Sequence, residues 1–84
     1  MTTYKVYMVE CSDKSIYTGI TTDIDRRLKQ HSSGKGSKYV RRRLPIKLCW
    51  SSEWMDKSSA LKEEYRIKQL TPKGKRDIWK KTKK

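Results

Sequence analysis

Long apolar runs are missing from this sequence. None of its 84 residues falls in a segment that could span a bilayer, and no strongly amphipathic basic helix with bulky apolar residues is present to lie on one. The N-terminal stretch lacks a signal-peptide core, so a cytoplasmic chain with free thiols is expected. Cysteine is scarce too: Cys11 and Cys49 stand far apart with no Cys-x-x-Cys pair, which argues against a zinc site. Both fall in strand-like segments, where a thiol serves as a small hydrophobe. Negative charge is thin, with 9 acidic against 22 basic residues and a net charge of +13. No acidic residue occurs between Arg26 and Ser52. Such an excess on so small a body implies an acidic partner, with nucleic acid favoured over a membrane, and its self-repulsion favours a monomer. No repeat, linker or second domain interrupts the chain. It reads as one domain over 1–84, with a core at about 4–70 and a basic C-terminal helix and tail over 71–84.

What is present is a sequence of short elements. Residues 4–11 and 15–21 are rich in β-branched and aromatic side chains and flank the turn-forming Ser12, Asp13, Lys14 and Ser15, which predicts a hairpin. A helix is expected over 23–33, with Thr22 as its cap, Asp25 three residues on in a variant capping box, and Gly34 as its terminator. The glycine-bearing, basic stretch 34–43 has no apolar period and reads mostly as loop. Residues 45–52 alternate Ile46, Leu48 and Trp50 against Lys47, Cys49 and Ser51, as a half-buried third strand would. A second helix over 57–70, capped by Asp56 or Ser58, and a short last helix opened by Thr71 and Pro72 complete the order ββαβαα. The predicted fold is α+β: a small three-stranded antiparallel sheet flanked by helices.

Helical geometry then sorts the polar residues. On the first helix Ile24 and Leu28 define the buried stripe; His31 lies about 40° and Arg27 about 80° from its centre, while Arg26 points to water. On the second, Ala60, Leu61, Tyr65, Ile67 and Leu70 form an apolar face, with Glu64 within about 30° of its centre and Glu63 about 75° away. An unpaired buried carboxylate is costly, so Glu64 should hold a metal or pair with Arg27 or a lysine. Uncharged phenols, a permanent cation, an imidazole and one carboxylate in a basic chain fit phosphodiester hydrolysis. That reaction needs a positioned water, a base, and positive charge on the phosphoryl oxygens. One carboxylate suffices for a magnesium or manganese ion that keeps most of its waters. A tyrosine is a poor base with its pKa near about 10. Arg27, His31 and a metal would lower that value, making Tyr7 or Tyr17 serviceable.

The tyrosine of the first strand, Tyr17-Thr18-Gly19 in the second, the helix of residues 21–31 and the stretch 60–70 together resemble the GIY-YIG nuclease superfamily. Its small stand-alone, single-domain bacterial members, of poorly defined function, are the most similar. By this resemblance Lys5-Val6-Tyr7 and Tyr17-Thr18-Gly19 occupy the two motif triplets, with Lys5 and Thr18 departing from the motif's glycine and isoleucine. The resemblance implies Tyr7 as general base or water-orienting group assisted by His31, Tyr17 holding water or phosphate, and Arg27 stabilising the transition state. It further implies Glu64 holding one magnesium or manganese ion, and Gly19 permitting a tight backbone path between strand and helix. The implied activity is metal-dependent endonuclease cleavage, of DNA more than RNA, with RNA left as an alternative substrate. Phosphate contacts are expected from Lys35, Lys38, Tyr39, Arg41, Arg42 and Arg43, and from Lys73, Lys75 and Arg76. Two alternatives compete: a basic nucleic-acid-binding module on the same fold with weak or no catalysis, and a domain whose charge serves an acidic protein.

Overall fold

The most continuously apolar segment of the chain lies in its first strand, β1 (Lys5–Glu10), and it becomes the middle of the sheet. A central strand is covered on both faces, so Val6, Tyr7, Met8 and Val9 are all fully buried. The structure is a computed structural model describing residues 2–82; Met1 and the last two lysines of the predicted basic tail, Lys83 and Lys84, lie outside the described residues. The strand β2 (Ile16–Thr21) pairs antiparallel with one edge of β1, setting Tyr7 opposite Gly19 and Val9 opposite Tyr17. The hairpin turn is fixed by its own polar groups. The Asp13 carboxylate accepts from the Ser15 backbone N–H at 3.0 Å, and Lys14 takes the left-handed conformation at φ 71°.

The third strand, β3 (Lys47–Ser51), pairs antiparallel with the other edge of β1, giving the order β2-β1-β3. Its expected alternation does not hold. The register pairs Met8 with Trp50 but Val9 with Leu48, so Cys49 is bulged out of the ladder. Cys49 and Trp50 therefore pack against the same core, while Leu48 is exposed.

Alternation along β1 divides the interior in two. Val6 and Met8 meet Ile16, Ala60 and Ile67 on one face, and Tyr7 and Val9 meet Val40 on the other. The second face is closed by α1 (Ile24–Ser32) and a one-turn helix, α2 (Lys38–Arg41), within the stretch expected to be loop. The fully buried Val40 anchors α2, and Ser37 caps it by accepting from the Tyr39 N–H at 3.1 Å. Helix α1 starts one residue later than expected. Asp23, not Thr22, is the cap, because its extended backbone lets the carboxylate accept from the Arg26 N–H at 3.0 Å. Gly34 ends the helix as predicted, at φ 81° with its N–H on the His31 carbonyl.

The first face is covered by α3 (Lys57–Lys68), capped by Asp56, and by α4 (Pro72–Thr82), whose Gly74 N–H is capped by Thr71 Oγ1 at 3.1 Å. The contact stripe of α3 is narrower than expected. Ala60 and Ile67 are buried, whereas Leu61 and Tyr65 stand in solvent, about 100° and 140° round the helix from Ala60. No helix among the described residues is long and apolar enough to cross a membrane.

Candidate active site

Gly19 explains how the Tyr7 phenol comes to lie where it does. A Cβ at this position would stand 2.7 Å from the Tyr7 hydroxyl oxygen and 2.9 Å from Cζ. The glycine sits within the β2 ladder directly opposite Tyr7, and its task is clearance for that ring, not the strand-to-helix path expected of it. With no side chain between them, the phenol extends across β2.

Two side chains from α1 hold the phenolic oxygen. His31 Nε2 lies 2.8 Å from it, and Arg27 Nε donates to it at 3.4 Å. Arg27 also donates from Nη1 to Gln30 Oε1 at 3.0 Å, which braces the guanidinium from its own helix. The hydrogen bond to Tyr7 is the largest influence on its charge and favours it, with Tyr17 adding in the same direction. The Tyr17 ring meets His31 edge-on with centroids 5.5 Å apart, and stacks on Tyr39 at 6.0 Å. Arg26 is exposed, as its helical angle predicts.

Glu64 approaches from α3, midway along the contact stripe between Ala60 and Ile67. Its side chain is 19% exposed and pairs with Lys68 Nζ at 3.3 Å. Its negative charge reaches the Tyr7 phenol, where it opposes ionisation. Glu63, by contrast, pairs with Arg66 and lines an open groove with Met55, Ser59 and Lys62 on the other side of α3, remote from the phenols in helical phase. Tyr7, Tyr17, Arg27 and His31 thus form one cluster, and the Glu64 charge is the smallest of the named influences on its Tyr7 phenol.

Tyr7 and His31 are both fully buried, and the half-buried residues around them are Tyr17, Arg27 and Glu64. Burial reverses the expected pKa change. Desolvation pushes the Tyr7 phenol above its ordinary 10.0 and outweighs the hydrogen bond from Arg27, which acts the other way. His31 is held below 6.5, first by burial and then by the Arg27 charge, so both partners in this hydrogen bond are neutral at neutral pH.

Among the described residues no group of three or more His, Cys, Asp or Glu could hold a metal. A lone, partly buried carboxylate with a flexible lysine as partner does fit a hard cation that keeps most of its water and takes other ligands from substrate phosphate.

The expected phosphate contacts divide. Lys35, Lys38, Arg41, Arg42 and Lys73 are exposed, while Lys75 is half-buried. Burial and nearby Lys68 lower the pKa of Lys75. Arg43 is committed to the fold: Nε donates to Asp13 at 3.0 Å, Nη1 donates to the Tyr39 carbonyl, and the guanidinium lies 3.8 Å over the Tyr39 ring. Arg76 likewise donates to the Lys14 carbonyl at 2.6 Å and lies 3.6 Å from the Glu10 carboxylate. Sequence reasoning missed Gln30, whose position three residues after Arg27 was a usable signal. It also missed Gly36, which packs so closely on His31 Nδ1 that a Cβ there would overlap the ring. Only the tertiary fold reveals that contact.

A family model described as the GIY-YIG catalytic domain matches residues 3–77. The UPF0213 protein YhbQ of Escherichia coli is 47% identical over 75 residues, covering 89% of this chain and 75% of that protein. A UPF0213 protein of Halobacterium salinarum is 48% identical over 68 residues, covering 81% of this chain and 88% of the other. The solution NMR structure of a UPF0213 protein from Bacillus halodurans has a TM-score of 0.62 at 42% identity, with 95% of this chain and 85% of that one covered.

Proposed function

This chain belongs to the GIY-YIG family, a nuclease-like family, and on that premise we propose that it is a divalent-metal-dependent endonuclease hydrolysing phosphodiester bonds in DNA. The observation that carries this reading is the Arg27 guanidinium, held by the Tyr7 phenol and Gln30 and neighboured by Tyr17. A fixed cation beside two phenols is suited to the charge that gathers on a phosphoryl group in the transition state. Arg27 is the electrostatic stabiliser, and its preorganisation is the work of Tyr7 and Gln30. Tyr7 has no exposed surface, whereas Tyr17 is half-buried, so Tyr17 is the phenol that takes hold of the attacking water. His31 keeps the Tyr7 hydroxyl oriented. Glu64 would hold one hydrated magnesium or manganese ion, which would supply charge neutralisation and help for the leaving oxygen.

The test is metal-dependent cleavage of labelled single-stranded, nicked and branched DNA. The expected result is cutting in magnesium or manganese that Glu64→Ala abolishes while binding survives. Intact substrates across that panel would overturn it. One observation favours a second reading, a basic nucleic-acid-binding module on the same fold: Tyr7 and His31 are sealed from solvent. Salt-sensitive binding without any cutting would select it.

A further inference from the structure

Exposed apolar residues on the same side of α3 as Glu64 suggest what form of nucleic acid the site receives. Taking Ala60 as the direction of the sheet, Glu64 lies about 40° round α3, Lys68 about 80°, Leu61 about 100° and Tyr65 about 140°, all on one side. The groove residues Glu63, Ser59 and Arg66 fall on the other side at about 60° to 120°. Glu64 therefore stands at the foot of a bank that rises through Lys68 and Leu61 to Tyr65. Leu61 is 45% and Tyr65 69% exposed, and as an i, i+4 pair they form one continuous patch. Among the described residues no ring or cation stacks on Tyr65, so its ring presents a face. Packing of α3 on the sheet does not require either side chain, because Ala60 and Ile67 already make that contact. Tyr39, 38% exposed, differs: its ring already stacks with Tyr17 and carries the Arg43 guanidinium.

We propose that Tyr65, supported by Leu61, stacks an unpaired nucleobase next to the phosphodiester held at Arg27 and Glu64, making the substrate a single-stranded stretch or arm rather than continuous duplex. The inference rests on the nuclease reading for the position of the phosphate. Inside a duplex each base face is covered by its neighbours, so only an unpaired base can offer its π-face to a tyrosine. A chain of net charge +13, with Lys68 between the tyrosine and the carboxylate, supplies the attraction for the backbone that such a base carries.

Equilibrium binding separates this from a general affinity for phosphate. A dye-labelled oligodeoxythymidylate and a hairpin duplex of equal nucleotide number are titrated by fluorescence anisotropy at fixed salt, with calcium in place of magnesium. Stacking on an aromatic side chain corresponds to about a 5- to 150-fold loss on alanine substitution. Tyr65→Ala should therefore weaken single-strand binding at least about fivefold, leave duplex binding within about twofold, and be rescued by Tyr65→Phe. Unchanged single-strand binding by Tyr65→Ala, an equal loss on both probes, or no binding of the single strand by the wild type overturns the proposal. Exposed Tyr65 allows the variant to keep its fold, which its melting midpoint checks. If the wild type cuts nothing while Tyr65-dependent binding persists, the nuclease reading falls alone. If it cuts while binding ignores Tyr65, this inference falls alone.

Discussion

Replacing Gly19 with alanine is the sharpest probe of how the cluster is built, because two effects of opposite sign act at one atom. Gly19 does not adopt a left-handed φ, so the alanine is free of backbone strain and should gain about 0.5–1 kcal/mol from the reduced flexibility of the unfolded chain. Against this, its Cβ would meet Tyr7 at 2.7, 2.9 and 3.1 Å, where ordinary carbon contacts lie at about 3.5–4.0 Å. The Tyr7 ring cannot yield easily, since it is fully buried and its oxygen is fixed by His31 and Arg27. Overpacking of this kind costs about 1–3 kcal/mol, so the clash wins and the domain is destabilised. For a domain of this size the melting midpoint should fall by about 4–8 °C per kcal/mol. The cause is isolated by repeating the change in a Tyr7→Leu background, where the shorter side chain leaves room. There Gly19→Ala should cost little, giving a coupling of about 1 kcal/mol or more between the two positions in a denaturation cycle. A Gly19→Ala protein that melts at or above the wild-type temperature, or one whose loss is the same in both backgrounds, would refute the clearance argument.

Three further outcomes follow from the same geometry. His31 is held below its ordinary 6.5, so on acidification the unfolded chain takes up a proton that the folded one refuses. Its contribution is fully present above about pH 6.5 and is lost as pH falls below it, at no more than about 1.4 kcal/mol per pH unit, levelling off beneath the folded pKa. Urea midpoints between pH 5 and 8 should show this component in the wild type and not in His31→Gln. Arg42 is exposed, so Arg42→Ala should lower the salt slope of nucleic-acid binding by about 0.9 and leave stability unchanged. Arg43→Ala should do the reverse, costing about 0.5–1 kcal/mol of stability from its contacts to Tyr39 and Asp13 while the salt slope stays put. A common slope for the two variants would show that Arg43 leaves Asp13 to meet phosphate.

The difference between what could and could not be read from the chain follows the range of the interactions. The choice of Arg27 over Arg26 needed only the helical period, which is a property of the backbone itself, and the folded chain sets Arg27 on the Tyr7 phenol. The same period separates half-buried Glu64 from Glu63, which faces the groove. The caps and the Gly34 stop are similarly local, and the one misplaced cap moved by a single residue because Asp23 accepts more strongly than Thr22. Elements that depend on partners distant in sequence were illegible. The Cys49 bulge exists because Met8 and Val9 take Trp50 and Leu48, and α2 exists because Val40 finds a buried seat beneath it. The order of desolvation and charge at Tyr7 belongs to the same class. Proximity in sequence put a cation beside the phenol, but only the packed interior determines that burial outweighs it.

Burial of this kind bears on what these residues are for. A neutral imidazole whose Nδ1 has no hydrogen-bond partner among the described residues, bonded to a neutral phenol inside the protein, is not what stability alone would select. Apolar side chains of the same shape commonly serve as well or better there. The surroundings are adapted to the pair all the same: Gly19 clears the phenol and Gly36 clears the imidazole, although Gly19, inside a strand, gives up about 0.5–1 kcal/mol relative to alanine. Two glycines and two buried polar groups arranged for one hydrogen bond amount to a stability cost in a domain with a small core. That cost has a return only if the bond fixes something outside itself, and what it fixes is the Tyr7 oxygen to which Arg27 donates. The energetics of the interior therefore point to the guanidinium at its border as the group the interior is arranged to hold.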